Sequence, residues 1–134
     1  MTSVLDASAL LTFLQAEPGA ELVESLLTGD SHCSAVNWSE VAQKVSAAGG
    51  DWPLAGALLA SYGLRVHPAT LEDGERAAAL WRRGTGLSLA DRFCLALGHR
   101  LAATVWTTDT AWGESDTVRQ IRPGSTQQGP KEPS

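Results

Sequence analysis

Hydrophobic and polar positions along this chain fall into blocks whose period switches between that of a strand and that of a helix. A short apolar run, Val4 and Leu5, stops at an acid, Asp6, and has the length of a buried first strand. From Ser8 to Ala16 the residues favour a helix, and Glu17-Pro18-Gly19 breaks it before a second helix with Leu22, Val23, Leu26 and Leu27 on one face. Thr28-Gly29-Asp30 closes that pair. Ser31 to Val36 reads as a second strand running into Asn37-Trp38-Ser39-Glu40, where Asn and Glu have the spacing of a capping box for a helix through Val41, Ala42 and Val45. Gly49-Gly50 stops it. Trp52-Pro53 starts a helix from Leu54 to Tyr62, ended by Gly63, and Leu64 to Pro68 is a third strand with edge-like alternation. Thr70 caps a helix through Leu71, Ala77, Ala78, Leu80 and Trp81. After Gly84-Thr85-Gly86, Ser88 caps a long helix with Asp91 in its first turn and an expected apolar stripe of Leu89, Phe93, Leu97 and Leu101. Ala102 to Thr107 is a fourth, buried strand ending at Thr108-Asp109, and Val118 to Ile121 is a short last one.

Strands separated by helices predict an α/β domain: a central, mainly parallel sheet with helices on both faces, in three layers. The expected domain covers residues 1–122, and 123–134, rich in Gly, Pro, Ser and Gln, is expected to be a disordered tail. At 134 residues the chain is long enough to bury a core without disulfide or structural metal. No apolar stretch reaches membrane-spanning length, and no leader pattern is read at the start, so a cytoplasmic protein without membrane contact is expected. Cys33 and Cys94 lack a CxxC pattern and sit among apolar neighbours, which predicts buried thiols. The formal charge of -5 argues against non-specific nucleic-acid binding, although a carboxylate cluster that binds cations would reverse the local sign.

In a parallel α/β sheet, strand carboxyl ends and helix amino ends share one edge, and ligands bind there. Four acids are expected at that edge: Asp6, Glu40, Asp91 and Asp109. Singly, each has an ordinary explanation as a helix cap or turn residue, favoured by the helix dipole. Together they conflict. Two carboxylates about 4 Å apart repel by roughly 4 kcal/mol at an effective dielectric near 20, whereas a helix dipole returns about 1 kcal/mol. Either some acids are protonated at neutral pH or a divalent cation sits among them, and carboxylate oxygens suit Mg²⁺ or Mn²⁺. Such a centre supports metal-assisted phosphodiester hydrolysis.

The motifs V-L-D-A-S-A-L-L at Asp6, N-W-S-E-V at Glu40, L-S-L-A-D-R-F-C-L-A-L-G at Asp91 and T-V-W-T-T-D-T-A-W at Asp109 resemble the four acidic signatures of the PIN-domain ribonucleases. In size the chain is similar to the toxin half of VapBC type II toxin–antitoxin modules. The resemblance implies a PIN-like three-layer α/β/α sandwich. It also implies Asp6, Glu40 and Asp91 as metal ligands, with Asp109 supporting the site directly or through water. Ser8 and Thr107 match small hydroxyl positions that hold such a cluster in place. It implies a homodimer acting on structured RNA in the cytoplasm and inhibited by a cognate antitoxin.

Arg82, Arg83 and Arg92 are candidate phosphate contacts, against an equal reading as surface arginines. Trp38, Trp52, Trp81, Trp106 and Trp112 can stack on bases but more often fill core or interface. Asp116 and Glu114 read as solvated loop residues, and the three histidines show no ligand spacing. A phosphoacceptor receiver needs an acid pair after the first strand, and a haloacid-dehalogenase phosphatase needs a second Asp where Ser8 stands. No P-loop or GxGxxG occurs. The competing reading from another class is a non-catalytic module whose acidic pocket holds a basic partner segment; metal dependence separates the two.

Overall fold

The computed structural model describes residues 1–122; the expected tail, 123–134, lies outside the described residues. The elements run β1 (Thr2–Leu5), α1 (Ala7–Leu14), α2 (Ala20–Thr28), β2 (Asp30–Ser34), α3 (Ala35–Ala47), α4 (Trp52–Ser61), β3 (Arg65–His67), α5 (Leu71–Ala79), α6 (Leu89–Leu101), β4 (Thr104–Thr107), a single 3-10 turn (Thr110–Trp112) and β5 (Val118–Gln120). Five strands form one sheet in the order β3-β2-β1-β4-β5, with every neighbouring pair parallel. Among the described residues no helix is long and apolar enough to cross a membrane.

The side-chain alternation of β1 divides the core into two layers. Leu5 packs with Leu10, Val23, Leu27, Cys33 and Val41, so α1, α2 and α3 cover one face. Val4 packs with Cys94, Leu97, Val105 and Val118, so α6 covers the other. Helix α5 packs against α6, and Arg100 fixes the pair with a two-pronged contact, Nε to Asp73 Oδ1 and Nη2 to Asp73 Oδ2, both 3.0 Å. Leu5, Leu10 and Leu27 are fully buried, and each contributes on the order of 2 kcal/mol of transfer free energy.

From β1 the chain steps outward to β2 and β3, then returns across β1 to build β4 and β5. The direction of winding reverses between β1 and β4, and the crevice at their carboxyl ends is the place where such a sheet opens to a ligand. Asp6 and Thr107 stand there, one at the end of each strand.

Three expectations need correction. The second strand ends at Ser34, whose extended backbone and hydroxyl, accepting from Val36 N at 3.1 Å, cap α3 three residues earlier than the Asn37-Glu40 spacing suggested. Asn37 and Glu40 therefore lie within α3, three apart on one face, and form no capping box. Leu89, expected in the buried stripe of α6, is 57% exposed, because it is the first residue of a helix whose buried stretch begins at Cys94. Helix α5 ends at Ala79, which leaves Trp81 in the following loop and exposed.

Helix α6 rests on β4 with no side chain between them at Gly98: a Cβ there would stand 2.4 Å from Val105 Cγ2. In an open helix, Gly→Ala gains about 1 kcal/mol of helix propensity, but forcing a methyl into a packed core costs about 1–3 kcal/mol. The clash should win. Gly98→Ala is expected to lower unfolding free energy by about 1–2 kcal/mol in urea titrations, and adding Val105→Ala should recover part of the propensity gain. Equal or greater stability for Gly98→Ala alone would show that the helix does not sit this close.

Candidate active site

The site starts from Asp6, which is 4% exposed and caps α1: its Oδ1 accepts from Ala9 N at 2.8 Å. Ser8 Oγ donates to the same oxygen at 2.7 Å, and Thr107 Oγ1 donates to Oδ2 at 2.5 Å. The direction of these bonds is forced. An ionised carboxylate can only accept, so both hydroxyl protons turn toward Asp6, while Thr108 N donates to Ser8 Oγ at 3.0 Å and Asp109 N donates to Thr107 Oγ1 at 3.0 Å. Ser8 and Thr107 thus hold the carboxylate from β1's end and β4's end together. Even so, burial pushes the Asp6 carboxyl from its ordinary 3.8 up to about 6, against the three hydrogen bonds, and the negative charge of Asp91 adds to the rise.

Glu40 approaches from α3 and Asp91 from α6. Asn37, one turn before Glu40 and 1% exposed, donates through Nδ2 to Glu40 Oε1 at 2.9 Å and to Ala90 O at 3.3 Å. Asp91 forms the capping box of α6 with Ser88: Ser88 N donates to Asp91 Oδ2 at 2.9 Å, and Asp91 N donates to Ser88 Oγ at 3.1 Å. The capping explanation of Asp91 is therefore correct, yet it occupies one oxygen only. Among the described residues Glu40 Oε2 and Asp91 Oδ1 take no hydrogen bond.

Two buried thiols feel these charges. Burial first, and then the fields of Asp6 and Glu40, raise the Cys33 thiol far above its usual range; Cys94 is raised by burial and by Asp6, Asp91 and Glu40 together. The charges of Asp6, Glu40 and Asp91, from three different elements, thus all reach Cys94. Asp109 does something else. It is exposed, and its Oδ1 accepts from Ala111 N at 2.9 Å to cap the turn Thr110–Trp112, while its amide supports Thr107.

The arginines separate in the same way. Arg92 gives Nη1 to Ala77 O at 2.8 Å and buries Nε, which braces α5 against α6 beside the site. Arg82 caps the end of α5 through Ala79 O and Trp81 O, and Arg83 lies 5.9 Å over the Trp81 ring in the exposed loop before Ser88. Sequence reasoning missed Asn37 as a site residue. Its spacing to Glu40 was visible, but three residues apart describes both a capping box and a shared helix face, and only the earlier start at Ser34 decides between them.

Hard oxygen donors and a buried carboxylate, with no cation among the described residues in contact with them, fit a divalent ion. Among the described residues no three His, Cys, Asp or Glu side chains stand close enough to enclose one. A divalent ion held there would therefore have to keep part of its water shell, as Mg²⁺ does.

The PIN domain family matches residues 3–116. No curated protein matches the chain in sequence. Among solved structures, it is similar to a toxin–antitoxin complex from Klebsiella pneumoniae, with 19% identity, a TM-score of 0.71, and coverage of 91% of this chain and 99% of that one. It is also similar to VapC20 of Mycobacterium tuberculosis, described as a sarcin–ricin loop cleaving toxin, with 17% identity, a TM-score of 0.67, and coverage of 86% and 98%. At these identities the likeness is one of fold.

The raised Asp6 carboxyl has a sign. Its folded value lies above the ordinary one, so its contribution to stability is full below about pH 4 and is lost as pH rises through about 6, a swing of about 3 kcal/mol. In chelator-treated protein, Asp6→Asn should remove this slope and match or exceed the parent's thermal midpoint at pH 7. A variant much less stable than the parent at pH 7, with the slope retained, would place the strain elsewhere.

Proposed function

The chain belongs to the PIN domain family, and on that premise we propose that it is a Mg²⁺- or Mn²⁺-dependent endoribonuclease, the toxin of a type II toxin–antitoxin module. The observation that carries this reading is the Asn37 amide joining Glu40 to Ala90, next to Asp91, together with a buried Asp6 whose carboxyl the charge of Asp91 raises and which no cation among the described residues contacts. When bound, a divalent ion offsets the charge of the scissile phosphate and acidifies water to supply the nucleophile. The chain's own residues do the rest. Ser8 and Thr107 keep the Asp6 oxygens oriented, and the capping box holds Asp91 with Oδ1 free. Glu40 keeps Oε2 free while Asn37 takes Oε1. Three negative charges repel an RNA backbone, so substrate binding and cleavage should both depend on the cation. Asp109 has the supporting role of shaping the turn beside Thr107. Arg82 and Arg83, in the loop that leads into Asp91's helix, are the basic groups best situated to meet phosphates; Arg92 is committed to α5.

The proposed partners are structured RNA, a cognate antitoxin and a second copy of the chain, in the cytoplasm. Helix α4 supports a protein partner: it carries no charged residue, buries only Leu59, and exposes Leu54 and Leu58 one turn apart. The Klebsiella pneumoniae neighbour, a toxin–antitoxin complex, supports the antitoxin. One observation favours a non-catalytic module instead, namely that no three side chains enclose an ion among the described residues.

Metal dependence decides. Purified protein should cut structured RNA with Mg²⁺ or Mn²⁺ and stop in EDTA. Asp6→Asn, Glu40→Gln and Asp91→Asn should each lose at least about a hundredfold in rate, the scale for losing a group that stabilises transition-state charge. Asp109→Asn should lose less. Calorimetry showing no divalent-ion binding, together with cleavage absent from every RNA offered, would leave the acidic pocket as a binding surface only.

A further inference from the structure

Glu40 is the one acid of the three that neither ends a strand nor caps a helix. It projects from inside α3, and a Glu side chain with three rotatable bonds can reach a wide arc of positions. What limits it is Asn37. Resting on the nuclease reading of the site, the geometry points to Asn37 as a positioning residue: its carboxamide holds Glu40 against the first turn of α6 so that Glu40 and Asp91 face the same cation.

Three features of Asn37 support this role. The residue is 1% exposed, so its amide is part of the α3–α6 junction and is not a surface contact. Its Nδ2 faces two acceptors, Glu40 Oε1 at 2.9 Å and Ala90 O at 3.3 Å, and Ala90 immediately precedes Asp91. Neither acceptor can donate to it, so the amide has one workable orientation. That orientation leaves Asn37 Oδ1 buried without a partner among the described residues. A side chain chosen for packing alone would not strand an acceptor in the core, whereas the two N–H bonds to Glu40 and Ala90 fix the amide with Oδ1 turned away from them. An Asp here would set a second carboxylate against Glu40, and an aliphatic residue would fill the space but let Glu40 swing away.

The test measures Mn²⁺ affinity of the full-length chain by calorimetry, with thermal midpoints of the same samples in EDTA. Asn37→Leu keeps most of the volume, removes both N–H groups and removes the stranded oxygen. It is expected to weaken Mn²⁺ binding tenfold or more, the usual effect of losing an outer-shell partner, while the EDTA midpoint stays level or rises. In a Glu40→Gln background the same change should have little further effect on affinity, because Asn37 acts through Glu40. Asn37→Ala serves if Asn37→Leu does not fold. Parent protein that binds no Mn²⁺ would remove the nuclease reading and this role with it. Parent that binds Mn²⁺ and cleaves RNA, with unchanged affinity in the folded Asn37 variant, would overturn the Asn37 role alone. Additive losses in the Glu40→Gln background would also overturn it, since Asn37 would then act by another route.

Discussion

The burial of one ionised group, Asp6, constrains much of this structure. A carboxylate taken out of water needs donors, and the protein supplies them from the two strands that flank its winding reversal: Ala9 N and Ser8 beyond β1, Thr107 at the end of β4. Backbone amides of Thr108 and Asp109 then fix the hydroxyls. The same bonds that orient Asp6 therefore tie the ends of β1 and β4 together at the crevice. Sheet topology and site geometry are one arrangement here, because the place where a parallel sheet leaves a gap is also where its loose ends most need hydrogen-bond partners.

Much of this was legible in the sequence because two signals agreed. Val4 and Leu5 stop at Asp6, and Val105 to Thr107 stop just before Asp109, so strand ends and polar residues coincide; the parallel order follows from helices between strands. What could not be read was decided by single residues. Asn37 and Glu40 fit two patterns, and Ser34, a better-placed cap on an extended backbone, chose between them. The expected stripe of α6 had the right period, but periodicity does not say where a helix first meets its sheet, so Leu89 was placed inside. Asp109 follows a strand just as Asp6 does. Its backbone then turns into a 3-10 segment, and its carboxylate caps that turn.

Asp91 shows why structural and chemical explanations of an acid are poor alternatives. Its capping box uses Oδ2, and capping fixes the rotamer, which is what a site residue also requires. Asp6 likewise caps α1 while sitting at the centre of the crevice. A carboxylate has about four acceptor positions, so one partner in a cap leaves most of them usable. Finding that a suspected site residue is a helix cap thus says little against it.

The site also works against the fold. Asp6 held ionised at neutral pH costs about 3 kcal/mol, and the buried acceptor on Asn37 costs a further 1–3 kcal/mol. Against a typical net stability of about 5–15 kcal/mol, these are large amounts to concentrate in one crevice. Two apolar layers offset them: Leu5, Leu10, Val23 and Leu27 on one face of β1, Val4, Leu97 and Val105 on the other. A divalent ion would relieve the larger of the two penalties directly, since it favours the charged form of Asp6 that burial disfavours. Cation binding and folding would then be linked through one carboxylate, the physical form of the conflict among acids that the sequence already implies.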